Sequence, residues 1–314
     1  MKILVTGGYG YSGSILVPKL LRAGHEVIVL DTGWFGKHIP EHANLSEIIA
    51  DTRELKFLPD GIDAIIHLAA IANDPCGELD ARLTWEVNVL ATLRLAELAV
   101  RAGVKQFIFA SSASVYGIKD DRPVVETDSL EPVSDYNKTK MVGERVLQSF
   151  ADRFALQIVR PATLCGYSPR IRCDIVVNLL TMRALRDGVM NLMTPELSRP
   201  HCHVQDAASL YLFLLERPHL TGVYNAGFEN LTIMQTARLI AERLNVPIEV
   251  GASSMDKRSY CVDSSKILAT GFVPAFTVKH AIDELADMWA TGALREEERQ
   301  TNLLWMRKHG LVRT

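Results

Sequence analysis

An α/β fold built on a doubly wound parallel sheet is predicted by three features of the sequence. Short apolar runs rich in β-branched residues alternate with helix-period stretches through the first half, the pattern left by strands and their crossover helices. The run over residues 64–70 is apolar at almost every position, as a strand covered on both faces must be. The first strand also runs straight into a glycine turn and then a helix, a context in which closely spaced glycines carry structural meaning.

In chain order, residues 2–6 read as a buried strand. It leads into Gly7, Gly10 and Gly13, spaced G-x-x-G-x-x-G, with Tyr11 and Ser12 before the last of them, and then into a helix over 14–23. Gly7 permits the tight turn, Gly10 lets a pyrophosphate approach the helix N-terminus, and Gly13 lets helix and strand pack closely. A second strand over 26–30 ends in Asp31. A carboxylate there accepts hydrogen bonds from adenosine ribose hydroxyls and repels a 2′-phosphate, which favours NAD over NADP. A short third strand, 48–50, ends at Asp51 and Thr52. The fourth, 64–70, closes with Leu68, Ala69 and Ala70, where small side chains allow close approach of a cofactor. His67 within it reads as a satisfied core histidine rather than a catalyst. Helical periodicity covers 83–102 and includes Asn88. The fifth strand, 106–110, delivers Ser111, Ser112 and the segment up to Gly117 to its carboxyl end, where open α/β sheets bind ligands.

Tyr136 and Lys140 then stand four residues apart at the start of a helix, so both side chains lie on one face. A free phenol, with a pKa near 10, is a poor base at neutral pH. A neighbouring ammonium lowers that pKa and suits the pair to general-base work on a hydroxyl. A sixth strand, 156–160, ends at Pro161. Arg170 and Arg172 have two readings, as donors to anionic oxygens or as a surface loop paired with Asp174. Cys165 reads as packing, because no activating partner is evident. Residues 222–227 read as a strand and turn, 231–244 and 278–290 as helices, and 296–299 as a solvated helix face.

The 314 residues are 48% hydrophobic and carry a formal net charge of −3 without a block of like charges. That argues against nucleic acid and membrane as partners. Five scattered cysteines suggest a reducing cytoplasm rather than a disulfide framework. Successive residues of a strand face opposite ways, so His201, Cys202 and His203 do not make a shared metal site, and no metal is expected.

The segments TGGYGYSG (6–13), Asp31, HLAA (67–70), SSASVYG (111–117) and YNKTK (136–140) occur together and in order. As a set they resemble the extended short-chain dehydrogenase/reductases, in their nucleotide-sugar epimerase/dehydratase branch. The resemblance covers nearly the whole chain. It implies a Rossmann-type fold binding NAD, with Ser112, Tyr136 and Lys140 as the catalytic trio. It implies that Asp51 and Thr52 lie near the adenine, that Asn88 supports the cofactor pocket, and that Pro161 lies beside the nicotinamide. Gly7, Gly10, Tyr11, Ser12, Gly13, Asp31, Leu68, Ala69, Ala70 and Ser111 complete the implied cofactor site. Residues 166–178 match a subset of the branch with G-x-S-P-R-x-R-x-D-x-x-V-N. Arg199, in R-x-x-x-H-V-x-D, is implied to contact the substrate diphosphate. Thr163 and Asn178 join Ser112 and Arg199 on the substrate side. An arginine common in epimerases is absent near Ser253, and Arg258 is its candidate substitute.

Ala113 and Ser114 stand where the 4,6-dehydratases carry an Asp-Glu pair, and where sugar-acid decarboxylases carry a Glu in place of Ser114. The resemblance therefore favours a nucleotide-sugar 4-epimerase. A C4 dehydrogenase or keto-reductase, or a non-catalytic NAD-binding sensor or scaffold, are the alternatives. Expected domains are a cofactor unit over 1–165 with 204–225 returning to it, and a substrate unit over 166–203 and 226–314. Resembling enzymes pair two helices across a two-fold axis, here 83–102 and 137–153, which implies a homodimer.

Overall fold

The computed structural model describes residues 1–119, 122–251 and 259–311. Strand β1 (Lys2–Thr6) leads through the glycine turn into helix α1 (Gly13–Arg22), then β2 (Glu26–Asp31), β3 (Leu45–Ile49) and β4 (Ala64–His67). Helices α2 (Asp74–Leu79), α3 (Ala81–Trp85) and α4 (Ala91–Arg101) follow, and a π turn at Glu86–Leu90 joins the last two. Next come β5 (Gln106–Ala110), α5 (Asp135–Gln148), β6 (Ala155–Pro161), β7 (Thr163–Cys165), α6 (Val176–Asp187), β8 (Met190–Leu192), β9 (Ser198–His203) and α7 (Val204–Leu215). The chain ends with β10 (Gly222–Ala226), β11 (Glu229–Thr232), α8 (Ile233–Leu244), β12 (Ile248–Val250), α9 (Ser265–Leu268), α10 (Val278–Ala290) and α11 (Asn302–Lys308).

Seven strands form a parallel sheet in the order β10-β6-β5-β4-β1-β2-β3. The chain winds outward from β1 to β3 and then crosses to β4 on the other side of β1. The crevice at the carboxyl ends of β1 and β4 is therefore the place where a ligand is expected. Side chains alternate between the two faces. Ile3, Val5, Val27, Val29 and Ile66 pack with Leu16 and Leu20 of α1 and Leu210 and Leu214 of α7. Leu4, Ile28, Ile65, Phe107 and Phe109 pack with Leu95 and Leu98 of α4 and Leu147 of α5. A third core joins α6, α8 and α10 through Val177, Leu180, Ile240 and Ile282. It lies beside the small sheets β11-β9-β7 and β12-β8.

Three elements differ from the sequence reading. The fourth strand stops at His67, so Leu68 to Ala70 turn out of the sheet and face the cleft instead of pairing. The helix expected over 83–102 runs without a gap from Ala81 to Arg101 but carries a π turn. Asp80 caps α3 by accepting from the Leu83 amide at 2.9 Å, and the π turn holding Asn88 interrupts the register. The helix expected from 231 starts at Ile233, because residues 229–232 pair with β9 and Thr232 with Gln235 makes a capping box. Among the described residues no helix is long and apolar enough to cross a membrane.

Candidate active site

A cleft of about 740 Å³ runs along the carboxyl edge of the sheet, within the usual range for small-molecule sites. At its floor Gly7 has φ +73°, and a Cβ there would stand 2.6 Å from the Ala69 backbone nitrogen. A Cβ on Gly13 would meet the Gly8 and Gly7 carbonyl oxygens at 2.4 and 2.5 Å. Only glycine fits either place. Ser12 opens α1 without a side-chain cap. The Ser14 amide already donates to the Gly10 carbonyl at 2.9 Å, and the helix N-terminus faces the cleft, where its dipole favours an anion. Asp31, at the end of β2, accepts from the Tyr9 amide at 3.0 Å and the Gly33 amide at 2.8 Å. Burial pushes its carboxyl up, against these bonds and the Arg170 charge. Asp51 and Thr52 line the same end. Burial opposes ionisation of Asp51, yet Arg53 at 2.8 Å holds its carboxyl below the usual range. Glycine turn, helix end and cleft-lining carboxylate thus suit a dinucleotide.

Asn88 is buried and braces this wall from behind. Its Oδ1 accepts from the Ile71 amide at 2.8 Å, and its Nδ2 donates to the Ile71 carbonyl and to Thr139. His67 is a core histidine, as expected, with ring nitrogens 2.6 Å from Thr6 Oγ1 and 2.9 Å from Thr92 Oγ1. Burial pushes its pKa down to about 3.

At the other end β5 and α5 bring Ser112, Tyr136 and Lys140 together. Ser134 caps α5 by accepting from the Asn137 amide, which places Tyr136 in the first turn and Lys140 one turn on. The Ser112 hydroxyl lies 2.7 Å from that of Ser114, and its hydrogen-bonding influence favours the Tyr136 phenolate. Lys140, almost fully buried, donates to the Ala110 carbonyl at 2.8 Å. One expectation is corrected here. Burial pushes the Tyr136 phenol up to about 12 instead of down. Burial likewise pushes Lys140 down to about 7, with the Glu144 charge opposing it. For the phenol, burial outweighs the hydrogen-bonding contribution of Ser112 and the Arg172 charge.

Several other site residues take supporting positions. The Ser111 hydroxyl donates to Glu144 Oε1 at 2.5 Å. Tyr11 is buried, and its hydroxyl donates to the Gly166 carbonyl. Asn178, expected against substrate, is fully buried instead. Its Oδ1 accepts from the Gly166 amide and its Nδ2 donates to the Arg172 carbonyl at 2.9 Å, so it holds the 166–172 turn. Thr163, Arg199 and Pro161 line the cleft. Arg258 and Ser253 lie outside the described residues. Arg170 and Arg172 also line the cleft. Arg172 pairs with Asp174 at 2.8 Å, as the second reading had it, but in a buried turn rather than a surface loop.

Two residues behind the trio escaped the sequence reading. Glu144, fully buried, pairs bidentately with Arg160 at 2.6 and 2.9 Å. Arg160 also donates to the Tyr116 hydroxyl, which donates to Asn225. The available signals were a carboxylate one helical turn beyond Lys140 and an arginine near the end of a largely apolar strand.

Fold and cleft define a Rossmann-type, dinucleotide-dependent enzyme with a serine, a tyrosine and a lysine lining one end of the cleft. Residues 3–227 match the NAD dependent epimerase/dehydratase family, and the chain belongs to that family. A Bacillus subtilis (strain 168) protein described as an uncharacterized UDP-glucose epimerase, YtcB, is 31% identical over 268 residues, 77% of this chain and 82% of the relative. Among solved structures, MoeE5 in complex with UDP-glucuronic acid and NAD superposes with a TM-score of 0.83 at 27% identity, over 94% of this chain and all of MoeE5. The UDP-glucose 4-epimerase of Thermus thermophilus, complexed with NAD, gives 0.81 at 27% identity, again over 94% of this chain and all of that one.

Proposed function

We propose that the chain is an NAD-dependent nucleotide-sugar 4-epimerase that passes through a transient 4-keto sugar. The observation that carries this reading is the cleft end at β5. Ser112, Tyr136 and Lys140 converge there, while the two residues after Ser112 are Ala113, fully buried, and Ser114, whose hydroxyl donates to Asn137 at 2.5 Å. Water elimination needs an acid and a base beside the catalytic serine, and those positions offer neither. Epimerisation at C4 needs one proton carrier and one orienting hydroxyl.

When bound, NAD supplies the acceptor and donor of hydride. Gly7, Gly10, Tyr11, Ser12 and Gly13 hold its pyrophosphate end, Asp31, Asp51 and Thr52 its adenosine, and Leu68, Ala69, Ala70, Ser111 and Pro161 the path to the nicotinamide. Ser112 hydrogen-bonds the reacting oxygen and Tyr136 takes and returns its proton. Lys140 holds the ribose and steadies the phenolate. Thr163 and Arg199 face the nucleotide sugar. Uridine diphosphate sugars are the first candidates, because the relatives' names carry them.

The cofactor unit comprises residues 1–165 and 204–225, and the remainder carries substrate. The protein works in the cytoplasm as a homodimer. Leu90 is 59% exposed and Leu93 37% exposed, with Val142 and Val146 half-buried on the neighbouring helix, which supports pairing through these helices. The test is a panel of nucleotide sugars given to the purified protein, with bound-cofactor absorbance and products followed together. A 4-epimer formed without net NADH supports the reading. A 4-keto-6-deoxy product, or no turnover of any sugar, contradicts it.

A further inference from the structure

The C-terminal segment does not join either small sheet or the main one. It lies across the loops that line the cleft. Thr301, Asn302, Leu303 and Met306 face the same cavity as the glycine turn and Asp31. Trp305 Nε1 donates to the Trp34 carbonyl at 2.7 Å, on the loop after β2. Met306 is 2% exposed and packs with Ile71, Cys76 and Val87 beyond β4. On the 170–174 turn, Arg170 Nη2 donates to Asn302 Oδ1 at 2.5 Å, and the Asn302 backbone amide donates to Asp174 Oδ2 at 3.1 Å. The Arg170 guanidinium also lies 4.1 Å over the Phe35 ring. One short segment is therefore tied to three loops from both sides of the cleft.

We propose that residues 301–308 are a further wall of the dinucleotide site, and that their anchors at Trp34, Arg170 and Asp174 set how long NAD stays bound. The glycine turn and the strand ends hold one side of the cofactor. On the other side this segment separates the cleft from solvent. A dinucleotide leaving past it must break the Trp305 and Asn302 anchors and unseat Met306. NAD retention suits an enzyme that regenerates its cofactor in each cycle, but the proposal needs only that the chain binds NAD.

The test reads NAD release rather than turnover, so it stands apart from the epimerase reading. Protein loaded with labelled NAD is chased with unlabelled NAD, for the wild type, Asn302→Ala, Trp305→Phe and the double variant. Trp305→Phe keeps the ring and removes its donor. The double variant should release NAD at least about tenfold faster, the effect expected from losing two ordinary hydrogen bonds. Release at the wild-type rate from a folded double variant overturns the proposal. Should the double variant fail to fold, amide exchange on the wild type decides. Added NAD should protect residues 302–308 far more than the α10 helix over 278–290, and equal protection of the two overturns the proposal.

Discussion

On the cofactor wall of the cleft the groups that shape the surface are backbone. Gly7 presses against Ala69, Gly13 against the Gly7 and Gly8 carbonyls, and Asp31 is fixed by the amides of Tyr9 and Gly33. On the opposite wall they are long side chains held by other side chains and by distant backbone: Arg172 on Asp174, Arg170 on Asn302, Asp174 on Asn73. A backbone wall tolerates one residue type per position, because any Cβ collides. A side-chain wall depends on partners more than a hundred residues apart, such as Arg170 and Asn302. The first kind leaves little room for change at each position. The second can be rebuilt by changing both partners together.

Substitutions separate the two walls. Tyr136→Phe should have the largest effect. It removes the proton carrier, keeps the ring, and is expected to slow turnover by ~10²–10⁴. NAD affinity by calorimetry should hardly change, because the glycine turn and Asp31 are untouched. Loss of NAD binding would mean that the walls are not separable.

The same contrast explains what the sequence made legible. Glycine spacing, Asp31, and the Tyr136-Lys140 interval are local patterns set by strand, turn and helix periods, and the structure places each of them on the cleft. Asn178 misled because its motif position says nothing of direction, and its amide turns inward to Gly166 and Arg172. The direction of the Tyr136 shift was missed for a similar reason. Helix spacing reveals that a lysine is one turn away, but not that burial dominates the phenol or that the lysine side chain is engaged by the Ala110 carbonyl. The segment around Asn302 and Trp305 carries no periodic signal linking it to Trp34.

Arg160→Met tests the support beneath the trio. It leaves Glu144 buried and without its charge partner, which typically costs about 3–5 kcal/mol. Denaturant unfolding should register that loss, and a variant as stable as wild type would remove the ion pair from the account. Gly7→Ala adds a Cβ 2.6 Å from the Ala69 backbone nitrogen to a strained φ, which alone is worth on the order of 1–3 kcal/mol. Stability should fall and NAD binding measured by calorimetry should weaken. Unchanged NAD affinity would break the claim that the cofactor wall is backbone-limited.

The smallest effect is a pH slope. Burial lowers Lys140 from 10.5 to about 7 in the folded, cofactor-free chain. Between those values the unfolded chain binds the extra proton, so this group makes stability rise as pH increases from about 7 towards 10.5. Melting of the cofactor-free protein should therefore gain more between pH 7 and 9 in wild type than in Lys140→Met. Equal gains would place the ammonium in a more polar setting than the Ala110 contact describes.

The central claim is transient oxidation at C4 with return of the same hydrogen, and a C4-deuterated nucleotide sugar tests it most directly. UDP-glucose labelled at C4, or whichever sugar the panel selects, is converted under single-turnover and steady-state conditions. The account predicts a 4-epimer that keeps deuterium at C4, with no NAD consumed. Deuterium on released NADH, formed in proportion to an oxidised product, would contradict it and establish a C4 dehydrogenase instead.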